Sequence, residues 1–184
     1  MSSPKPEQTR TENDAKLPPD KLLMAIAIGL VAIFAFNYWY LAQSRNDLGY
    51  DFSVTTLSGE TFSVGSNKGK IIVLNFMSTG CPYCKSEIPE LKRAWDDYGQ
   101  KVVLVSISVD PIADTEDALR GFAKSYDANW IWARDVVGAA ARYNIRGTPT
   151  TVILDKDGYE KYRNEGFTDA ATFGKQIEEL LNRT

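Results

Sequence analysis

The tightest constraint on the fold is a junction. An apolar run, Ile71-Ile72-Val73-Leu74-Asn75-Phe76-Met77, leads through a short polar turn into Cys81-Pro82-Tyr83-Cys84, and an amphipathic stretch follows. The run reads as a buried strand. Beyond it, Cys84, Ile88, Leu91 and Trp95 recur at helical spacing and predict a helix with one apolar face, which Pro89 should kink. Cys81 is thus expected where a strand ends and a helix begins. A helix start presents free backbone N–H groups and a partial positive charge. That environment favours a thiolate over a thiol. Pro82 suits the first helical position, where its missing donor costs nothing. Cys84 falls in the first turn, close enough to bond back to Cys81.

Composition narrows the chemistry further. The chain has 184 residues, a net charge of −3, no histidine and only these two cysteines. Without imidazole there is no His-ligated zinc or copper and no Ser-His or Cys-His nucleophile pair. Two cysteines cannot complete a four-thiolate metal site. Half a site shared with a partner is the weaker reading, and a loop this tight contributes little as a structural staple. A redox pair is favoured, with no metal and no other cofactor. No basic block marks nucleic-acid binding.

Residues 1–21 are polar, with Pro4, Pro6, Pro18 and Pro19, and read as a disordered cytoplasmic tail. Leu22 to Ser44 carries no charge and is flanked by Lys21 and Arg45. A helix of roughly 20 apolar residues spans the hydrocarbon core, so 22–44 reads as a transmembrane anchor. Tyr38, Trp39 and Tyr40 suit the membrane interface. Lys5, Arg10, Lys16 and Lys21 precede the span and only Arg45 follows it closely, which puts the amino terminus in the cytoplasm and the rest outside. A cleaved signal peptide is the alternative, with Ala42-Gln43-Ser44 as a loose cleavage site. The run is longer than a usual signal core, and bulky aromatics crowd that site.

Residues 45–50 read as a linker and 51–184 as a compact α/β domain. Asp51–Leu57 and Thr61–Val64 flank Ser58-Gly59-Glu60 as a hairpin. Val102–Val109 is a second buried strand. Thr115–Tyr126 is a helix capped by Asp114 or Thr115. Trp130–Ala133 is a short strand and Val136–Tyr143 a short helix. Thr150–Leu154 and Tyr159–Arg163 form a hairpin about Asp155-Lys156-Asp157-Gly158. Asp169–Leu181 is a closing helix with Phe173, Ile177, Leu180 and Leu181 on one face.

From Asp51 onward the chain resembles the membrane-anchored thioredoxin-like proteins of the TlpA/ResA/CcmG group, extracytoplasmic thiol–disulfide oxidoreductases. The resemblance rests on Leu74-Asn75-Phe76, Cys81-x-x-Cys84, Glu87-Ile88-Pro89, Gly147-Thr148-Pro149-Thr150 and Asp155-Lys156-Asp157-Gly158. It implies a thioredoxin-like fold: a central mixed sheet flanked by helices, with an N-terminal β-hairpin extension and one preceding transmembrane helix. It implies Cys81 as nucleophile, Cys84 as resolving cysteine and a redox disulfide between them. It also implies a cis bond before Pro149, facing the cysteines, with the Thr148 backbone offered to an extended substrate. Glu87 matches a buried glutamate thought to move protons; the plain alternative is a surface glutamate favoured by the helix dipole. The implied activity is reduction of protein disulfides, as in cytochrome c maturation, with protein thiol or disulfide substrates and a membrane redox partner for regeneration.

Two departures stand out. Gly80 occupies the place where the family usually has Trp, which opens the surface beside the nucleophile, and Met77 replaces another frequent aromatic. Pro82-Tyr83 is the dipeptide usual in glutaredoxins, so the direction of electron flow stays open. Two other readings remain. A thiol peroxidase resembling peroxiredoxins would need a threonine and an arginine near the cysteine; Thr79 and Arg146 are the candidates, without the full motif. A membrane-tethered binding or copper-delivery module would resemble relatives that use a longer Cys-x-x-x-Cys and a histidine, both absent here.

Overall fold

The structure, a computed structural model, describes residues 18–183, with the side chains of 19, 22 and 40–50 outside the description. The expected tail lies outside it up to residue 17. The chain divides into two units, between Ser44 and Arg45.

The first unit holds most of α1, Pro19–Tyr50. The backbone stays helical through 45–50, where a linker is expected. Leu23, Met24, Ile26, Ile28, Leu30, Val31, Ile33, Phe34 and Phe36 are all exposed, so the helix is apolar around its circumference rather than along one stripe. Asn37 donates its amide back to the Ile33 carbonyl at 3.0 Å, so its polar head is satisfied within the helix. Among the described residues no helix is long and apolar enough to cross a membrane. The described side chains of the apolar stretch run from 23 to 39, and the expected span of 22–44 continues beyond them at both ends.

The second unit opens with a hairpin of β1 (Ser53–Thr55) and β2 (Thr61–Ser63), turned at Gly59 with φ +85°. Then follow β3 (Ile71–Met77), α2 (Pro82–Tyr98), β4 (Val102–Ser108), α3 (Glu116–Ser125), β5 (Ile131–Arg134), α4 (Ala139–Arg142), β6 (Thr150–Leu154), β7 (Glu160–Glu165) and α5 (Ala170–Leu181). The main sheet has the order β5-β4-β3-β6-β7, parallel on the β4 side of β3 and antiparallel on the β6 side. This is a thioredoxin-like α/β fold with a central mixed sheet, as expected.

β3 is buried along its whole length because both faces of the sheet are covered. Its odd-numbered residues Ile71, Val73 and Met77 pack with Ile88 and Leu91 of α2 and with Phe173 and Ile177 of α5. Its even-numbered residues Ile72, Leu74 and Phe76 pack with Phe52, Phe62 and Tyr143 on the other side. Strand alternation thus assigns Asn75 to the α2 face.

Several expected elements shift at their ends. The helix expected over Val136–Tyr143 shrinks to α4. Asp135 accepts the Ala139 and Ala140 N–H groups at 2.7 and 2.8 Å, and Gly138 caps the helix at φ +76°, so it cannot begin earlier. Thr115, not Asp114, caps α3 by accepting the Ala118 N–H at 3.2 Å. α2 runs unbroken through Pro89.

Candidate active site

Cys81 is the residue that caps α2. Its backbone is extended (φ −78°, ψ 118°), and its sulfur accepts the Cys84 N–H at 3.1 Å. The sulfur thus sits on the unpaired donors of the helix start, as the strand–helix junction requires. The two cysteines are disulfide-bonded, with Cα atoms 5.2 Å apart. Cys84 is buried and Cys81 only half-buried, so Cys81 is the sulfur that a partner can reach. The Thr148–Pro149 peptide is cis. The Thr148 carbonyl lies 3.4 Å from Cys81 Sγ, and Gly166 N–H donates to the Pro149 carbonyl at 2.8 Å. Cys81, Cys84, Thr148 and Pro149 are therefore together. A Cβ built on Gly80 meets nothing within 4 Å, so the surface beside Cys81 is open.

Glu87 is fully buried, which removes the surface alternative. Its Oε1 accepts the Thr168 N–H at 3.0 Å and its Oε2 accepts the Asn75 amide at 2.9 Å. Burial dominates these bonds and pushes its pKa from 4.5 up to about 8. At neutral pH it is mainly a neutral acid one helical turn from Cys84, able to give or take a proton.

Two groups of residues were not legible as site residues in the sequence. The first is a polar row across the sheet under α2. Asn75 pairs in register with Ser106 on β4 and with Thr151 on β6, and all three are fully buried. The available signal was a polar residue inside each of three mainly aliphatic strands, since a buried polar group needs a partner. The second is Asp114, buried between β4 and α3. Its carboxylate accepts the Thr79 N–H at 3.0 Å, the Ser108 hydroxyl at 2.6 Å and the Thr79 hydroxyl. It ties down the loop that delivers Cys81. The hydroxyl of Thr79, which a peroxidase would turn toward the cysteine, is given to Asp114 instead. Among the described residues no cluster of three or more His, Cys, Asp and Glu side chains is arranged to hold a metal ion.

Comparison with known proteins places this geometry in context. The model of the AhpC/TSA family matches residues 46–162. The thioredoxin-like protein YneN of Bacillus subtilis is 34% identical over 138 residues, covering 70% of this chain and 81% of that protein. The thiol-disulfide oxidoreductase ResA of Bacillus thuringiensis is 28% identical over 142 residues, covering 74% of this chain and 80% of its own. Among solved structures, a secreted Mycobacterium tuberculosis disulfide oxidoreductase homologous to E. coli DsbE superposes with a TM-score of 0.64 at 28% identity. It covers 73% of this chain and 99% of that one.

Proposed function

The chain belongs to the AhpC/TSA family, and from that premise we propose that it is a membrane-anchored, extracytoplasmic thiol–disulfide oxidoreductase that reduces disulfides in proteins. One observation carries the chemistry: a half-exposed Cys81 at the start of α2, with Cys84 buried behind it and an uncharged acid, Glu87, one turn further on.

The exchange follows from that order. The Cys81 thiolate attacks one sulfur of a substrate disulfide; a mixed disulfide forms and the other substrate sulfur leaves as a thiolate. Glu87 first releases its own proton to solvent; Cys84 then gives its proton to the Glu87 carboxylate so formed and attacks Cys81 Sγ. The intermolecular bond breaks, the second substrate sulfur leaves as a thiolate, and Cys81–Cys84 closes. Two electrons pass from the dithiol to the substrate. In the return step Glu87 gives its proton to the departing Cys84 as a membrane redox partner reduces the pair.

Protein rather than small-molecule substrates are supported by the surface around the site. In the second unit, the exposed large apolar side chains among the described residues are Tyr83, Ile112, Val136, Val137 and Phe167. Tyr83 lies between the cysteines. Ile112 follows β4, and Val136 and Val137 follow β5, at the same end of the parallel strands as Cys81. Phe167 follows Gly166, which is bonded to Pro149. An apolar rim of this kind suits an unfolded segment around a substrate cysteine.

Anchoring is supported by α1. A helix apolar on all sides must be covered by protein or by lipid, and the basic residues before it favour a cytoplasmic amino terminus.

The test is exchange with insulin or an apocytochrome disulfide. Cys81→Ser should abolish exchange and Cys84→Ser should accumulate the mixed disulfide; activity retained by Cys81→Ser would overturn the assignment. The couple's reduction potential decides direction, since about −270 mV marks a thioredoxin-like reductant and about −120 mV a DsbA-like oxidant. Thiol labelling of single cysteines introduced after Arg45 tests topology; labelling from the cytoplasmic side only would exclude an extracytoplasmic domain.

A further inference from the structure

The row beneath Glu87 has a direction, and Trp130 sets it. Trp130 Nε1 lies 3.0 Å from Ser106 Oγ, Ser106 Oγ lies 3.1 Å from Asn75 Oδ1, and Asn75 Nδ2 lies 2.9 Å from Glu87 and 3.1 Å from Thr151 Oγ1. An indole nitrogen only donates. Ser106 must therefore accept from Trp130, which leaves its own proton for Asn75. The carboxamide oxygen of Asn75 is then held toward Ser106, and its N–H groups are held toward Glu87 and Thr151. Without the indole both lone pairs of the Ser106 oxygen are free, and the hydroxyl turns more readily to accept from the Asn75 amide. The carboxamide is then free to turn its oxygen to Glu87, a partner for the protonated acid only.

We propose that Trp130 and Ser106 are positioning residues that lock the Asn75 carboxamide, and thereby fix how strongly Glu87 holds its proton. The inference deepens the proton role given to Glu87 above and rests on it. The groups facing Glu87 leave the chain as the variable element. The strands beneath contribute only neutral Asn75, Ser106 and Thr151. On its own helix lie Cys84 and Glu90, and Glu90 is committed to the Ala170 N–H and to Arg93. Asp169, beside Thr168, caps α5 by accepting the Thr172 N–H at 2.7 Å. The Thr151 hydroxyl also reaches Glu87 and can change from donor to acceptor when Glu87 takes a proton.

The test uses the full chain in detergent, with Trp130→Phe and Ser106→Ala. The titration of Glu87 is followed by the infrared carboxylic-acid band that Glu87→Gln removes, and by the pH profile of exchange. Loss of the lock should raise the Glu87 midpoint by about one pH unit, about tenfold in proton affinity. Trp132→Phe is the control, because its indole donates to the Ala128 carbonyl at 2.8 Å and not to this chain. Unchanged midpoints in either folded variant, or an equal shift in Trp132→Phe, would overturn the lock. If neither variant folds, NMR of the wild-type protein decides it. Asn75 amide protons close to the Thr151 methyl support the orientation, and the same protons close to the Ser106 β protons refute it. The infrared and NMR readouts do not need exchange activity, so failure of the lock and failure of the oxidoreductase reading are separable.

Discussion

The burial of Glu87 makes stability fall as pH rises. The perturbation is pH itself, compared between the wild type and Glu87→Gln. In the unfolded chain the carboxyl titrates near 4.5, and in the folded protein near 8. Below the first value it is protonated in both states and costs nothing. Between the two, the folded state binds the extra proton, so each step up in pH destabilises it. Above the second, the full penalty applies: a displacement from 4.5 to about 8 corresponds to at most ~5 kcal/mol. Gln carries no charge and removes this slope. Its own cost is one N–H group forced against another, because Thr168 and Asn75 both present donors; that is about 1–3 kcal/mol at all pH values. The curves should therefore cross, with the wild type more stable in acid and Glu87→Gln more stable in alkali. Denaturant unfolding of the oxidised Arg45–Thr184 unit from about pH 4.5 to pH 9 reads the difference, which cancels all other titrations. A difference curve that is flat, or that rises in favour of the wild type with pH, would refute the buried-acid account.

Asp114→Ala leaves the Thr79 N–H, the Thr79 hydroxyl and the Ser108 hydroxyl without their shared acceptor, and should cost about 2–4 kcal/mol in unfolding while Cys81 alkylation in the reduced protein changes rate; Asp114→Asn, which keeps one acceptor oxygen, should cost less. Ile112→Asp and Phe167→Asp should each raise KM for a protein disulfide several-fold and leave a small aromatic disulfide unaffected, because both side chains are exposed and neither contributes to the core. Gly80→Trp should fold with little change in Tm, since the space beside it is empty, and should slow reaction of Cys81 with bulky substrates.

Local pattern carried a great deal of this molecule. An aliphatic run ending in Cys-x-x-Cys before an amphipathic helix is enough to place a strand, a helix and a sulfur at their junction, because each is decided by neighbours within a few residues. The hairpin about Asp155-Lys156-Asp157-Gly158 was readable for the same reason, with Gly158 at φ +88° in its turn. Helix ends were less readable: Asp135 stops α4 from outside through side-chain bonds that periodicity does not contain. The electrostatics of the site depended on contacts made only by the folded chain. Glu87 and Thr168 are 81 residues apart in sequence, and Asn75 and Thr151 are 76 apart, yet both pairs are hydrogen-bonded. A glutamate on a helix is charged or neutral according to what covers it. That is set when Asn75, Ser106 and Thr151, in register on three strands, close beneath α2.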